Sequence, residues 1–89
     1  MIFSYDESKN KTNLAKHSVA LSDAELLEWD SLICTSDARR DYGEFRFIGF
    51  ALIGERLYCV VFTMRGETHH IISLRKANNR EKENYAHHY

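Results

Sequence analysis

The sequence predicts an α+β fold in which N-terminal helices pack on one face of an antiparallel sheet of three or four strands, with a C-terminal helix at an edge of the sheet. Three observations support this. Helical patterns come first, three strand-like runs joined by short turns follow, and a helical pattern ends the chain. Helices and strands that segregate along a chain, rather than alternate, are typical of α+β domains. The length of 89 residues corresponds to a single domain covering residues 1–89.

The chain begins with a candidate strand and a helix. Ile2-Phe3-Ser4-Tyr5 is the candidate strand. Asp6 is a suitable helix cap because its carboxylate can accept hydrogen bonds from the free amide groups of the first turn. Lys16 and His17 lie at the predicted end, where cations complement the helix dipole. The helix is mostly polar, so its stability must come from packing.

A second short helix and a short strand are predicted before residue 36. Ser22-Asp23-Ala24-Glu25 has the spacing of a capping box, in which two side chains bond each other's backbone amides. We expect the buried side of this helix to carry Leu26, Leu27 and Trp29. Residues 32–35 form a candidate strand. The polar residues 36–43 predict an exposed loop.

Three strands form the predicted centre of the sheet. They cover residues 45–53, 57–64 and 67–75. Gly54-Glu55 and Arg65-Gly66 supply the two turns, where glycine can adopt a positive φ. The second strand is apolar on both faces, as a central strand should be. Asn78 or Asn79 can cap the terminal helix that follows.

Composition restricts the class of protein. Hydrophobic residues make up 44% and charged residues 28% of the chain, which indicates a globular fold. No apolar run approaches the roughly 18 residues of a membrane helix, and the N-terminus lacks the layout of a signal peptide. Cys34 and Cys59 are widely spaced, so we expect free thiols and a cytoplasmic protein.

The charge of the chain is unevenly distributed. Residues 1–44 carry 5 Lys/Arg and 9 Asp/Glu, a balance of −4, whereas residues 45–89 carry 7 and 4, a balance of +3. The sum is the formal net charge of −1. A basic C-terminal half can form a local patch for a polyanion even when the total charge is near zero. A solvated mixed surface is the alternative.

Metal binding is not expected. His69-His70 and His87-His88 are adjacent pairs, and neighbouring side chains on a strand point to opposite faces. The sequence contains neither C-x-x-C nor H-x-x-x-H spacing. We therefore expect neither a metal nor another cofactor.

Five motifs in a fixed order carry a family resemblance. They are Tyr5-Asp6-x-x-Lys9, Asn13-Leu14-x-Lys16-His17-x-Val19, Asp41-Tyr42-Gly43-Glu44-x-Arg46-Phe47-Ile48, Val60-Val61-Phe62-Thr63-x-Arg65-Gly66-Glu67, and Ile71-Ile72-Ser73-x-Arg75-Lys76-Ala77-Asn78-x-Arg80-Glu81, with Tyr85 after them. With these motifs the chain resembles the BrnT-type toxins, the ribonuclease half of bacterial type II toxin–antitoxin pairs, which have a RelE-like fold.

The resemblance implies a function and a partner. It implies metal-independent RNA cleavage that inhibits translation, and neutralisation by a ribbon-helix-helix antitoxin of the BrnA type. Because ribbon-helix-helix proteins are dimers, a two-toxin, two-antitoxin assembly is expected. The alternative is a non-catalytic interaction module that keeps the fold to bind an antitoxin or a nucleic acid. A weaker reading is a small metal- or phosphate-binding protein.

RNA cleavage by its own 2′-hydroxyl group needs a base, a cation and an acid. The candidate catalytic residues are Arg65, Glu67 and Arg75, with arginine as the phosphate clamp and Glu67 as the base. Strand parity predicts that Glu67 and Arg75 share one face, about 26 Å apart. That is too far for one phosphate unless the strand bends. A straight strand predicts a site divided between a turn end, with Arg65 and Glu67, and a helix end, with Arg75 and Lys76. The candidate RNA-binding residues are His17, Arg46, His70, Lys76 and Tyr85.

Structural roles are the alternatives for these residues. Arg65 and Glu67 can simply close a hairpin, and Arg75-Lys76 can be solvated residues before a helix cap. His17 can be a helix-end cation, and Tyr85 can pack on the sheet rather than stack on a base.

Three positions depart from the family pattern. Ser18 stands where glycine is usual, Leu21 where an aromatic residue is common, and His70 where arginine is usual. The exchange at His70 replaces a permanent cation by a group with a reference pKa of about 6.5. We therefore expect weaker phosphate binding at neutral pH, and we expect His70→Arg to leave activity unchanged or to raise it.

Overall fold

The computed structural model describes residues 1–37 and 43–88. The predicted loop at 36–43 falls largely outside these residues. Two short 3₁₀ segments, Leu21–Leu26 and Trp29–Ser31, precede the second strand. The strands and helices are β1 Ile2–Tyr5, α1 Glu7–His17, β2 Ile33–Ser36, β3 Phe47–Ile53, β4 Arg56–Arg65, β5 Thr68–Lys76 and α2 Asn79–Ala86.

The fold is α+β as predicted, but its sheet is mixed. Five strands lie in the order β1-β5-β4-β3-β2. The meander β3-β4-β5 is antiparallel, as is the pairing of β2 with β3, whereas β1 runs parallel to β5. The prediction of three or four antiparallel strands was therefore wrong in strand number and direction. Ser4 of β1 pairs with His70 of β5, which is 66 residues away. The alternation of side chains within a four-residue strand cannot identify so distant a partner.

Helix α1 begins and ends as its sequence indicates. Oδ1 of Asp6 accepts hydrogen bonds from the amides of Ser8 at 2.9 Å and Lys9 at 3.3 Å. At the other end Ser18 has a φ of 60°, and its amide donates to the carbonyl of Leu14. This left-handed conformation favours glycine, which explains why glycine suits this position better than serine.

The predicted capping box at Ser22 was wrong. The segment Leu21–Leu26 is a 3₁₀ helix that follows Ala20, and no side-chain cap is present at its start. Leu21, Ala24 and Leu27 are buried, whereas Leu26 is 62% exposed. A spacing of three residues places these buried side chains on one side of a 3₁₀ helix, which has three residues per turn.

The hydrophobic core lies between this segment and one face of the sheet. The cluster joins Val19, Leu21, Ala24 and Leu27 to strand residues that include Val60, Phe62, Ile71 and Leu74. Trp29 adds an anchor, because its Nε1 donates to the carbonyl of Ala24 at 2.9 Å. Its ring lies 4.9 Å from that of His69 and 5.3 Å from that of Phe62.

Asn13 extends the sheet where β1 stops. β1 pairs with residues 68–71 of β5, which leaves the next part of that edge to α1. The buried amide of Asn13 donates to the carbonyl of Leu74 at 2.7 Å and accepts from its amide at 3.2 Å. It also donates to the carbonyl of Val19 at 2.8 Å. One side chain therefore satisfies backbone groups that a further strand residue would otherwise bond.

A β-bulge in β5 changes which side chains share a face. Val61 pairs with Ser73, but Phe62 pairs with Ile71, so Ile72 is an additional residue. As a result His69 and Ile71 face the core, whereas Ser73 and Arg75 face the opposite side. Strand parity therefore does not hold along β5, and the prediction from it that Glu67 and Arg75 share one face was wrong. We call the side of the sheet opposite the core the open face; it carries Ile48, Phe50, Val61, His70, Ser73 and Arg75.

Helix α2 lies across part of the open face rather than along a sheet edge, where it was predicted. Asn78 caps it with a capping box to Glu81. Tyr85 lines an apolar hollow with Ile33, Ile48 and Phe50, and its hydroxyl donates to the carbonyl of Ser31 at 3.2 Å. Among the described residues, no helix has the length and apolar character needed to cross a bilayer.

Candidate active site

Two polar hollows occupy the open face. The turn-end hollow has a volume of about 280 Å³ and lies near the β4–β5 turn. Four separate segments contribute to it: the start of α1, the segment before β3, the end of β4, and β5. Its lining residues are Asp6, Lys9, Glu44, Arg46, Arg65, His70 and Ile72.

The turn-end hollow carries an excess of positive charge. Among the described residues that line it are three cations, Lys9, Arg46 and Arg65, and two carboxylates, Asp6 and Glu44, which give +1 with a neutral histidine. Nε of Arg46 lies 3.6 Å from Oε1 of Glu44. Two guanidinium groups can bind a phosphate, and the carboxylate beside them can then accept a proton.

His70 lies in this hollow as a positioned imidazole. Its Nδ1 is 2.8 Å from Oγ of Ser4, which the parallel pairing of β1 and β5 places opposite it. Burial, and then the nearby Arg65 guanidinium, lower the pKa of His70 below its ordinary value of 6.5. The ring is therefore largely neutral at pH 7 and can accept a proton.

The second hollow, the helix-end hollow, has a volume of about 230 Å³ and lies where α1 ends beside the sheet. Its polar residues are Lys16, His17, Ser73 and Arg75. Arg75 forms a bidentate pair with Glu81 of α2, with two N–O distances of 2.8 Å. Hydrogen bonds from Arg75 lower the pKa of Glu81, and burial, followed by the charges of Lys16 and Arg75, lowers the pKa of His17.

The two hollows are too far apart to bind one phosphate. His70 pairs with Thr63 and Arg75 pairs with Cys59, four residues away on β4. At about 3.3 Å per residue, the separation along the strand is roughly 13 Å. They can instead contact different nucleotides of one strand.

The structure groups some of the predicted site residues and separates others. Arg46, Arg65 and His70 meet in the turn-end hollow, and His17 and Arg75 meet in the helix-end hollow. The other three lie outside both hollows. Glu67 is exposed in the β4–β5 turn, and Lys76 follows Arg75 on the opposite side of the strand. Tyr85 belongs to α2 and lies on the side of the helix that faces the sheet.

Sequence reasoning missed the part that α1 and the segment before β3 play in the turn-end hollow. Asp6, Lys9 and Glu44 line it, and none was named as a site residue. The signal was present, since Asp6-x-x-Lys9 and Glu44-x-Arg46 both belong to the motifs that carry the family resemblance. Asp6 and Lys9 are also three residues apart at the start of a helix, and this spacing places two side chains on one side of it.

Fold and site together define a small α+β protein with arginine-containing polar hollows on one face of its sheet. The sequence matches the family model for the BrnT ribonuclease toxin of type II toxin–antitoxin systems over residues 5–81. The chain therefore belongs to the BrnT toxin family. No curated protein gives a significant match. Motifs from the whole matched range contribute to the two hollows.

Proposed function

We propose that this protein is a metal-independent endoribonuclease toxin that inhibits translation by cleaving RNA in the bacterial cytoplasm. The observation that carries the proposal is the turn-end hollow, where residues from four segments of the family match meet. Its cations can bind the scissile phosphate, and its histidine and carboxylates can exchange protons. These groups supply the required chemistry without a cofactor.

Arginine residues provide the charge stabilisation in this proposal. Arg65 and Arg46 bind the scissile phosphate in the turn-end hollow, because a planar guanidinium group matches two phosphate oxygens. Arg75 and His17 bind a second nucleotide in the helix-end hollow. The proton-accepting role proposed from the sequence for Glu67 requires RNA to reach the β4–β5 turn.

The antitoxin is the second proposed partner. A type II toxin is controlled by a protein antitoxin, and we propose a ribbon-helix-helix protein of the BrnA type in a two-toxin, two-antitoxin assembly. The excess positive charge of the turn-end hollow favours an acidic or amphipathic segment as its cover. Copurification with the product of the neighbouring gene tests this, and recovery of the toxin alone would count against it.

One feature of the site favours the alternative of a non-catalytic interaction module. Glu81 engages Arg75 through two hydrogen bonds, so a phosphate at this position must compete with a carboxylate. Together with His70 at the usual arginine position, this contact is consistent with a fold retained for binding alone.

Induced expression in a bacterium that lacks the antitoxin distinguishes the two functions. We expect growth arrest with fragmented cellular RNA for the natural chain. Arg65→Ala should abolish arrest, because it removes a cation from the turn-end hollow. Arg56→Ala is the matched control, since Arg56 is exposed at the opposite end of the same strand. Normal growth with intact RNA, despite accumulation of the natural protein, would leave only the interaction module.

A further inference from the structure

The geometry points to His70 as the catalytic residue that accepts the 2′-hydroxyl proton during RNA cleavage, with Ser4 as its positioning residue. This inference rests on the proposed function, because it assigns a role within the same site. It also departs from the sequence-based expectation, in which His70 binds phosphate more weakly than the usual arginine and His70→Arg leaves activity unchanged or raises it.

The position of the imidazole is fixed from one side. Ser4 and His70 are register partners in the parallel pair of β1 and β5, and the Ser4 hydroxyl is 2.8 Å from Nδ1. When Nδ1–H donates to Oγ of Ser4, Nε2 carries the lone pair that accepts a proton. The proposed role requires this tautomer, which the Ser4 hydroxyl can bond as an acceptor, while β1 and β5 hold the ring in the hollow.

Among the described residues, the charged groups around His70 come from β4, the start of α1 and the segment before β3. Arg65 lies on β4, Asp6 and Lys9 lie at the start of α1, and Glu44 and Arg46 precede β3. Burial is the largest influence on the ring and lowers its pKa, and Arg65 and Lys9 act in the same direction. Glu44 and Asp6 oppose this shift. The net lowering keeps the imidazole available as a base at neutral pH.

The chemical step balances without another reactant. Nε2 takes the proton of the 2′-hydroxyl as the O2′–P bond forms. The P–O5′ bond breaks, and the departing 5′ oxygen takes a proton from solvent. The imidazolium then returns its proton to solvent, leaving a 2′,3′-cyclic phosphate and a 5′-hydroxyl. Arg65 and Arg46 stabilise the charge on the phosphate oxygens. Arginine cannot replace His70 in this step, because its pKa exceeds 12.

The pH dependence of RNA cleavage by the purified full chain tests this assignment. We expect kcat/KM to rise with pH, to show an apparent pKa below 6.5, and then to level off. His70→Gln and His70→Arg should both lower kcat by about 10²–10⁴-fold and remove the rising limb. His87→Gln, at an exposed position after α2, is the matched control and should keep the full profile.

Ser4 has a separate signature as a positioning residue. Ser4→Ala should lower kcat by less than His70→Gln does and displace the apparent pKa, while Ser4→Thr should restore both because it retains the hydroxyl. An unchanged profile in Ser4→Ala would show that the ring is held by other contacts.

A modified substrate separates a base from an acid. RNA with sulfur in place of the bridging 5′ oxygen releases a thiolate, which needs no proton to depart. If His70 were the acid, this substrate would restore cleavage by His70→Gln. We expect no rescue. Should the His70 variants fail to fold, NMR titration of the natural chain without RNA still reports whether His70 titrates below pH 6.5, and a pKa above 6.5 would count against the assignment.

The outcomes distinguish this inference from the proposed function. Full activity with an unchanged profile in His70→Gln, or higher activity in His70→Arg, would overturn the assignment while leaving the ribonuclease function intact. Absence of cleavage by the natural chain at every pH would overturn the proposed function itself, and with it this inference.

Discussion

Replacing Asn13 by alanine tests whether one side chain completes the edge of the sheet. The residue is 6% exposed, and its amide makes three hydrogen bonds to backbone groups of Val19 and Leu74. Each bond contributes about 1 kcal/mol net, and a buried backbone group left unpaired costs about 1–3 kcal/mol. We expect a total loss of roughly 3 kcal/mol, which corresponds to about 12–24 °C in Tm for a domain of this size.

Urea and thermal unfolding followed by circular dichroism measure this loss. Asn13→Asp should cost at least as much, because it keeps the acceptor for Leu74 but places a carboxylate against two carbonyl oxygens. Asn79→Ala, at an exposed position in α2, is the control and should change stability by less than about 0.5 kcal/mol. A loss below about 1 kcal/mol in Asn13→Ala would refute the proposed role of this amide.

Three further predictions follow from other contacts. Glu81→Gln should weaken the pair with Arg75 by about 1 kcal/mol and therefore tighten RNA binding by up to about fivefold, measured by fluorescence anisotropy. Weaker binding would show that Glu81 positions Arg75 instead. Ser18→Gly should raise the free energy of unfolding by about 0.5–1 kcal/mol, because φ is 60° there; a loss in urea titrations would contradict this. Acidification should reduce stability in two windows, because groups with a lowered pKa in the folded chain bind protons first in the unfolded chain. The first window begins at about pH 6.5 for His17 and His70, and the second begins at about pH 4.5 for Glu81. Urea titrations that give equal stability at pH 7 and pH 4 would refute this.

Local chemistry made the central part of the fold predictable. The cap at Asp6, the glycine turns and the apolar run of β4 act over a few residues, and all three are present where the sequence places them. The capping box at Ser22 failed because three-residue spacing of buried side chains outweighed a local hydrogen-bonding pattern. The predicted all-antiparallel sheet was wrong at β1, because the parallel pairing of β1 depends on a strand that is distant in sequence.

The site was less predictable because its geometry depends on a single additional residue. Strict alternation along β5 assigns Arg75 to the face of His69, but the bulge at Ile72 places it on the open face, the same face as His70. No local pattern at Ile71-Ile72-Ser73 indicates this bulge. The contribution of Lys9 and Glu44 also depended on long-range contacts, although both residues lie within the family motifs.

Cleavage of RNA by the purified protein in the presence of EDTA is the decisive measurement of metal-independent ribonuclease activity. We expect fragments that end in a 2′,3′-cyclic or 3′-phosphate, identified by mass spectrometry. We also expect a loss of about 10²–10³-fold in kcat for Arg65→Ala, the effect of removing one preorganised electrostatic donor, and little change for Arg56→Ala. Cleavage that requires added divalent metal, or fragments that end in a 3′-hydroxyl, would contradict the account.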